Sequence, residues 1–123
     1  MAADPIVYCL TRDRELATAL DARLSGAIAF FYNDAARLHQ AVTLRSPPLV
    51  LVDTGAVRAE FGDAGLGPVF DFVRHRAPRA RLAVRPSAGI QHLILAEAGA
   101  DVEFVPADLT GCVEAVAAAC GCS

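Results

Sequence analysis

Leu49-Val50-Leu51-Val52 is apolar at every position and is bounded by Ser46-Pro47-Pro48 on one side and Asp53 on the other. A run that short and that uniform reads as a strand covered on both faces, as at the centre of a parallel sheet. An antiparallel strand with one wet face would alternate apolar and polar residues instead. Less uniform strand-like runs recur along the chain at Ile6–Leu10, Ala27–Tyr32, Arg81–Arg85 and Val102–Val105. Between and after them lie helical stripes. Leu16, Leu20 and Leu24 stand at i, i+4 and i+8 within Asp13–Leu24, with Thr11 or Asp13 placed to cap. Asn33 or Asp34 caps a second stripe over Asp34–Arg45, which the prolines at 47 and 48 end.

The glycine-bearing stretch Thr54–Gly67 reads as a loop, and Pro68–Arg76 as a helix with proline in its first position. Ser87 caps a helix over Ala88–Ala98, which Gly99 stops, and Asp108 caps a last helix over Leu109–Cys120. Strands alternating with helices imply parallel βαβ units. Five such units in 123 residues predict a (βα)5 doubly wound, flavodoxin-like sheet of order 2-1-3-4-5, as one domain over residues 1–123.

Composition narrows the function classes. The chain is 54% hydrophobic with a net charge of −3, which argues against disorder. An acidic balance disfavours a nucleic-acid-binding module, whose phosphate contacts need clustered positive charge. The sequence has no run of 18 apolar residues and no basic, apolar leader at its start, so a cytoplasmic protein without a membrane span is expected. All 11 basic residues are arginine. Chemistry that needs lysine, such as a Schiff base or a phosphate-loop lysine, is therefore excluded. Cys9, Cys112, Cys120 and Cys122 lack zinc-ribbon spacing, and the residue six after Cys9 is Glu15, where a cysteine-phosphatase loop needs arginine. Cys9 and Cys112 read as small buried hydrophobes.

In a sheet of this order, ligands meet the carboxyl ends of the strands near the switch between strands 1 and 3. Leu10–Arg14, Asp53–Ala56, Arg85–Ser87 and Val105–Asp108 fall there. Ser46-Pro-Pro-Leu-Val-Leu-Val-Asp53, Glu97-Ala-Gly-Ala-Asp101 and Pro106-Ala-Asp-Leu109 stand in the order and spacing of the receiver domain of two-component response regulators, which the chain resembles over nearly its whole length. The resemblance implies an acceptor aspartate at the end of strand 3 and an acidic pair after strand 1 that binds Mg²⁺. It also implies a Thr or Ser after strand 4 and a Lys-Pro after strand 5. Metal and lysine neutralise the charge that phosphoryl transfer builds on the phosphate oxygens.

Asp53 matches the acceptor. Thr11 and Arg12 stand where the acidic pair belongs, and Asp13 follows one residue later, at a helix start expected to turn it away. Arg85 replaces the Thr or Ser, and Val105 or Pro106 stands at the lysine. The strand 5 switch aromatic would be Glu103 or Phe104. Arg12, Arg85 or both either ion-pair with Asp53 in the metal's place or point into solvent.

Arg74-His75-Arg76, Arg79, Arg81 and Arg85 form a basic stretch that reads as a solvated face. His39, His75 and His92 read as surface residues. The expectation is a degenerate, non-enzymatic pseudo-receiver with no cofactor. It would work through contacts with a histidine kinase or output domain, or as a homodimer through helix 4, strand 5 and helix 5, with no nucleic acid or membrane partner. One alternative is a working receiver phosphorylated on Asp53, with Mg²⁺ held by Asp13 and Asp53. Another is a flavodoxin-like small-molecule-binding protein or enzyme.

Overall fold

The structure, a computed structural model, describes residues 5–62, 65–86, 99 and 101–121. Strands β1 (Ile6–Leu10), β2 (Ile28–Tyr32), β3 (Leu49–Asp53), β4 (Arg81–Arg85) and β5 (Val102–Phe104) form one parallel sheet of order β2-β1-β3-β4-β5. The helices among the described residues are α1 (Arg14–Arg23), α2 (Ala35–Leu44), α3 (Thr54–Phe61), α4 (Leu66–Arg76) and α5 (Leu109–Ala119). This is the flavodoxin-like architecture that the alternation predicts. No helix among the described residues is long and apolar enough to cross a membrane.

Pleating sends alternate residues of each strand to opposite faces, and both faces are covered. Tyr8, Leu10, Val50, Val52, Leu82 and Val84 pack under α2, α3 and α4, against Leu38, Val57 and Phe70. Val7, Cys9, Leu49, Leu51 and Ala83 pack under α1 and α5, against Leu16, Leu20, Cys112 and Val116. Leu49 to Val52 are all buried, so the uniform run is the central strand. At the sheet edge β2 has a neighbour on one side only, and Ile28 and Phe30 stay 46% and 42% exposed.

Four of the five described helices start on an aspartate that directly follows or ends a strand or loop. Asp13, Asp34, Asp53 and Asp108 each accept a backbone N–H from the first turn of α1, α2, α3 and α5. Such caps satisfy amides that have no partner within the helix.

The largest departure from expectation lies between β3 and β4. Thr54–Gly67 is not a loop: α3 begins at once after Asp53, which caps it, and buries Thr54, Ala56 and Val57. The glycines that suggest a loop have different jobs. Gly55 sits inside the first turn, whereas Gly62 ends α3 at φ 70°, a conformation that L side chains avoid. Helix α4 starts at Leu66, with Gly65 as its N-cap, so Pro68 is not its first residue. Pro68 still lies in the first turn, where an N–H would have no intrahelical acceptor. The connection therefore holds two helices in place of one. The expected helix over Ala88–Ala98, and with it much of the expected dimer face, lies outside the described residues.

Phe70 is fully buried between α4 and the sheet, whereas Leu44 at the end of α2 is 81% exposed. Phe70→Ala is expected to lower the unfolding free energy by about 3–5 kcal/mol. Leu44→Ala is expected to change it by no more than about 0.5 kcal/mol. Urea unfolding of both variants beside the parent chain checks the contrast.

Candidate functional site

The parallel register brings the carboxyl ends of β1, β3 and β4 side by side, with Asp53 directly opposite Arg85. Asp53 closes β3 and divides its carboxylate between two tasks. Oδ1 accepts the Gly55 N–H at 3.3 Å, which starts α3. Oδ2 accepts the Thr11 hydroxyl at 2.9 Å and lies 3.5 Å from Arg85 Nη1.

Asp13 divides itself in the same way. Its Oδ1 accepts from the Glu15 and Leu16 amides at the start of α1, and its Oδ2 accepts from Arg85 Nη1 at 2.9 Å. Capping does not turn Asp13 away from the crevice, as the sequence suggests. It fixes one oxygen on the helix and leaves the other facing Arg85.

Arg85 joins these groups. Its side chain is 14% exposed, and its guanidinium reaches Asp13, Asp53 and, through Nε, the Ala107 carbonyl at 2.9 Å. The Arg85 carbonyl accepts the Thr54 hydroxyl at 3.1 Å, which fixes the strand end that carries the guanidinium. Thr11 is 6% exposed and completes the network: its hydroxyl donates to Asp53 and accepts the Asp13 N–H at 3.1 Å. Among the described residues, no buried side-chain nitrogen or oxygen lacks a partner.

The charge distribution follows from these contacts. The hydrogen bond from Arg85 holds the Asp13 carboxyl below the usual carboxylate range, against the opposing effect of burial. Burial works against the charge on Arg85, but Asp13 and Asp53 more than offset it, so its pKa moves up. Arginine therefore remains a fixed cation here at any working pH.

The other expected site residues stand apart. Arg12 donates through Nε to the Asn33 carbonyl at 2.9 Å and is exposed, tying the start of α1 to the end of β2. Val105 is buried just past β5 and donates its N–H to the Val84 carbonyl, while Pro106 is exposed. The β5–α5 turn thus offers the crevice the Ala107 carbonyl, a neutral acceptor, where the resemblance implies a lysine. That contact has no signal in the sequence, because every residue carries a carbonyl. Thr54 was visible only as the neighbour of Asp53.

Mg²⁺ demands a near-octahedral shell of oxygens. Asp13 Oδ2 and Asp53 Oδ2 are the oxygens that could begin one, but the Arg85 guanidinium lies 2.9 and 3.5 Å from them. A fixed positive charge at that point repels a dication, and Thr11 already donates to Asp53 Oδ2. The donor set does not fit the metal in this arrangement. Among the described residues no group of three or more His, Cys, Asp or Glu side chains could hold a metal ion.

The remaining motifs resolve into structure. Arg74 pairs with Asp71 and Asp101 at 2.9 and 2.6 Å, and Arg81 pairs with Glu103 at 2.9 Å, so much of the basic stretch is neutralised internally. His39 is not a free surface residue: it stacks on Phe72 at 4.0 Å and faces the Val69 carbonyl, and burial lowers its pKa. His75 is exposed. His92 and Cys122 lie outside the described residues. Cys9 is fully buried, and burial pushes its thiol far up; Cys112 is pushed up to about 11 by the same cause. Neither offers a thiolate nucleophile.

The Asp13–Arg85 contact has a consequence for acid stability. A carboxylate whose folded pKa is depressed stabilises the fold above its unfolded pKa, and that stability is lost as pH falls through the folded value. Asp13→Asn keeps an equally good cap but removes the charge. Its unfolding free energy is expected to fall less steeply than that of the parent below about pH 4, where aspartate ordinarily titrates. Because Asp13 is partly exposed, the difference is small, and denaturant curves across a pH series are the measurement that reads it. No model of a known protein family matches the chain, and no curated protein matches it.

Proposed function

We propose that this chain is a receiver-like signalling module whose strand-end crevice is held in one charge state by Arg85. It acts through contacts with a protein partner, without catalysis and without phosphorylation of Asp53. The observation that carries the proposal is the guanidinium that reaches Asp13, Asp53 and the Ala107 carbonyl at once. In a phosphorylated receiver this point must be open to a metal and to the incoming phosphoryl group, because both stabilise or carry the transferred charge. Here a side-chain cation that cannot be deprotonated fills it. A module of that kind presents one surface constantly, so its output is set by its abundance and by its partner.

One observation favours a phospho-receiver modified on Asp53 by a histidine kinase. Asp13 and Asp53 both aim an oxygen at the same point, which two convergent carboxylates would share with a metal if Arg85 left it.

The two are separated by exposing the whole chain to acetyl phosphate or to a beryllofluoride mixture with Mg²⁺. Intact mass and amide NMR shifts are the readouts. The locked module predicts no mass adduct and no Mg²⁺-dependent shift at Thr11, Asp13 or Asp53. It also predicts that Arg85→Ala gains such shifts at millimolar Mg²⁺, since two facing carboxylates then lack their cation. An adduct on the parent chain that disappears in Asp53→Asn would establish the phospho-receiver instead. An Arg85→Ala chain that folds and still ignores Mg²⁺ would deny Arg85 the blocking role.

A further inference from the structure

Beside the crevice, at the carboxyl end of the edge strand β2, lies a groove of about 980 Å³. It runs between α1 and α2, which cover opposite faces of the sheet, and Phe31, Tyr32 and Asn33 line it from β2. Its chemistry is two-ended. Arg12, Arg14 and Arg37 line it, so 3 of the 11 arginines of a chain of net charge −3 meet in one cavity. Arg12 spends Nε on the Asn33 carbonyl, and Arg37, 73% exposed, meets Asp34 at 3.4 Å. Arg14 is exposed and makes no ion pair among the described residues. Among the described residues that line it, Asp13 is the one acidic side chain, and both its oxygens are engaged, by Arg85 and by the amides of α1.

The other end is apolar. Arg37, Gln40, Ala41 and Leu44 fall on one stripe of α2 at spacings of three and four. Leu44 is 81% exposed, and Ala17 of α1 lines the same space. From Arg37 to Leu44 is about 10 Å along the helix axis.

We infer that this groove binds a small phosphomonoester with an apolar or aromatic body, its phosphate among Arg12, Arg14 and Arg37 and its body toward Ala17, Ala41 and Leu44. Guanidinium forks match phosphate oxygens in charge and geometry. The volume lies within the range of small-ligand sites, and the negative charge of the whole chain disfavours a polyanion such as RNA. The groove is argued from its own residues and does not depend on whether Asp53 is phosphorylated.

The test is an amide NMR titration of the whole chain at low salt with 1-naphthyl phosphate, and separately with inorganic phosphate and with 1-naphthol. Saturable shifts are expected at residues 12–17 and 31–44 with naphthyl phosphate, at least about fivefold tighter than with inorganic phosphate. Arg14→Ala and Arg37→Ala are each expected to weaken naphthyl phosphate about tenfold. Leu44→Ser is expected to weaken it about threefold while leaving inorganic phosphate unchanged. All three side chains are exposed, and the amide spectrum itself reports whether the variants fold. Equal affinity for inorganic phosphate would remove the apolar contact from the inference, and equal affinity for 1-naphthol would remove the arginines; either overturns it. Shifts only elsewhere, no saturation, or unchanged affinity in both arginine variants would also overturn it.

Discussion

Two carboxylates brought to adjacent strand ends and partly withdrawn from water repel each other unless a cation is supplied or one of them takes up a proton. In this protein Arg85 supplies the cation from the strand next to Asp53. The order of the sheet makes that possible: β3 lies between β1 and β4, so a long side chain from the end of β4 can cross Asp53 and reach Asp13 beyond β1. A shorter residue there could not span the distance. Because Nε is committed to the Ala107 carbonyl, the guanidinium also ties the turn after β5 to the turns after β1 and β3. The turns after β1, β3 and β5 are therefore cross-linked through one side chain, and the crevice is a structural joint as well as a candidate site.

The fold was legible because its signals are redundant. A four-residue apolar strand, three leucines at helical spacing and aspartates at the strand-to-helix junctions all require the same alternation. Legibility failed where two signals shared residues. Gly55, Gly62 and Gly65 suggest a loop by composition, yet Asp53 starts a helix that accommodates the first of them and stops at the second. Cap strength and burial of Val57 outweighed glycine's poor propensity, a tertiary effect that single-residue tendencies do not carry.

At the crevice, residue identities located Asp53 and Arg85, but contacts decided their roles. Arg12 and Arg85 have the same side chain and equivalent claims on Asp53 from the sequence. The difference is register: Arg85 ends a strand directly opposite Asp53, whereas Arg12 stands in a turn next to the edge strand and finds the Asn33 carbonyl first. The expected turning of Asp13 away from the crevice fails for a related reason. Treating a helix cap as a complete occupation overlooks the second oxygen of a carboxylate, which remains free to accept from elsewhere.

That second oxygen couples local and distant structure. Asp13 and Asp53 each use one oxygen to start a helix and aim the other at Arg85. The orientation of the guanidinium is thus tied to the first turns of α1 and α3, and neither helix start can move without disturbing the charge balance of the crevice. Thr11 and Asp13 also line the arginine groove beside β2. A shift of the α1 start would therefore be felt in both places, the mechanical requirement for one region of the surface to respond to events in the other. The hydrogen bonds of Asp13 and Asp53 thus make the strand-end crevice a common reference against which the start of α1, and with it the neighbouring groove, is held.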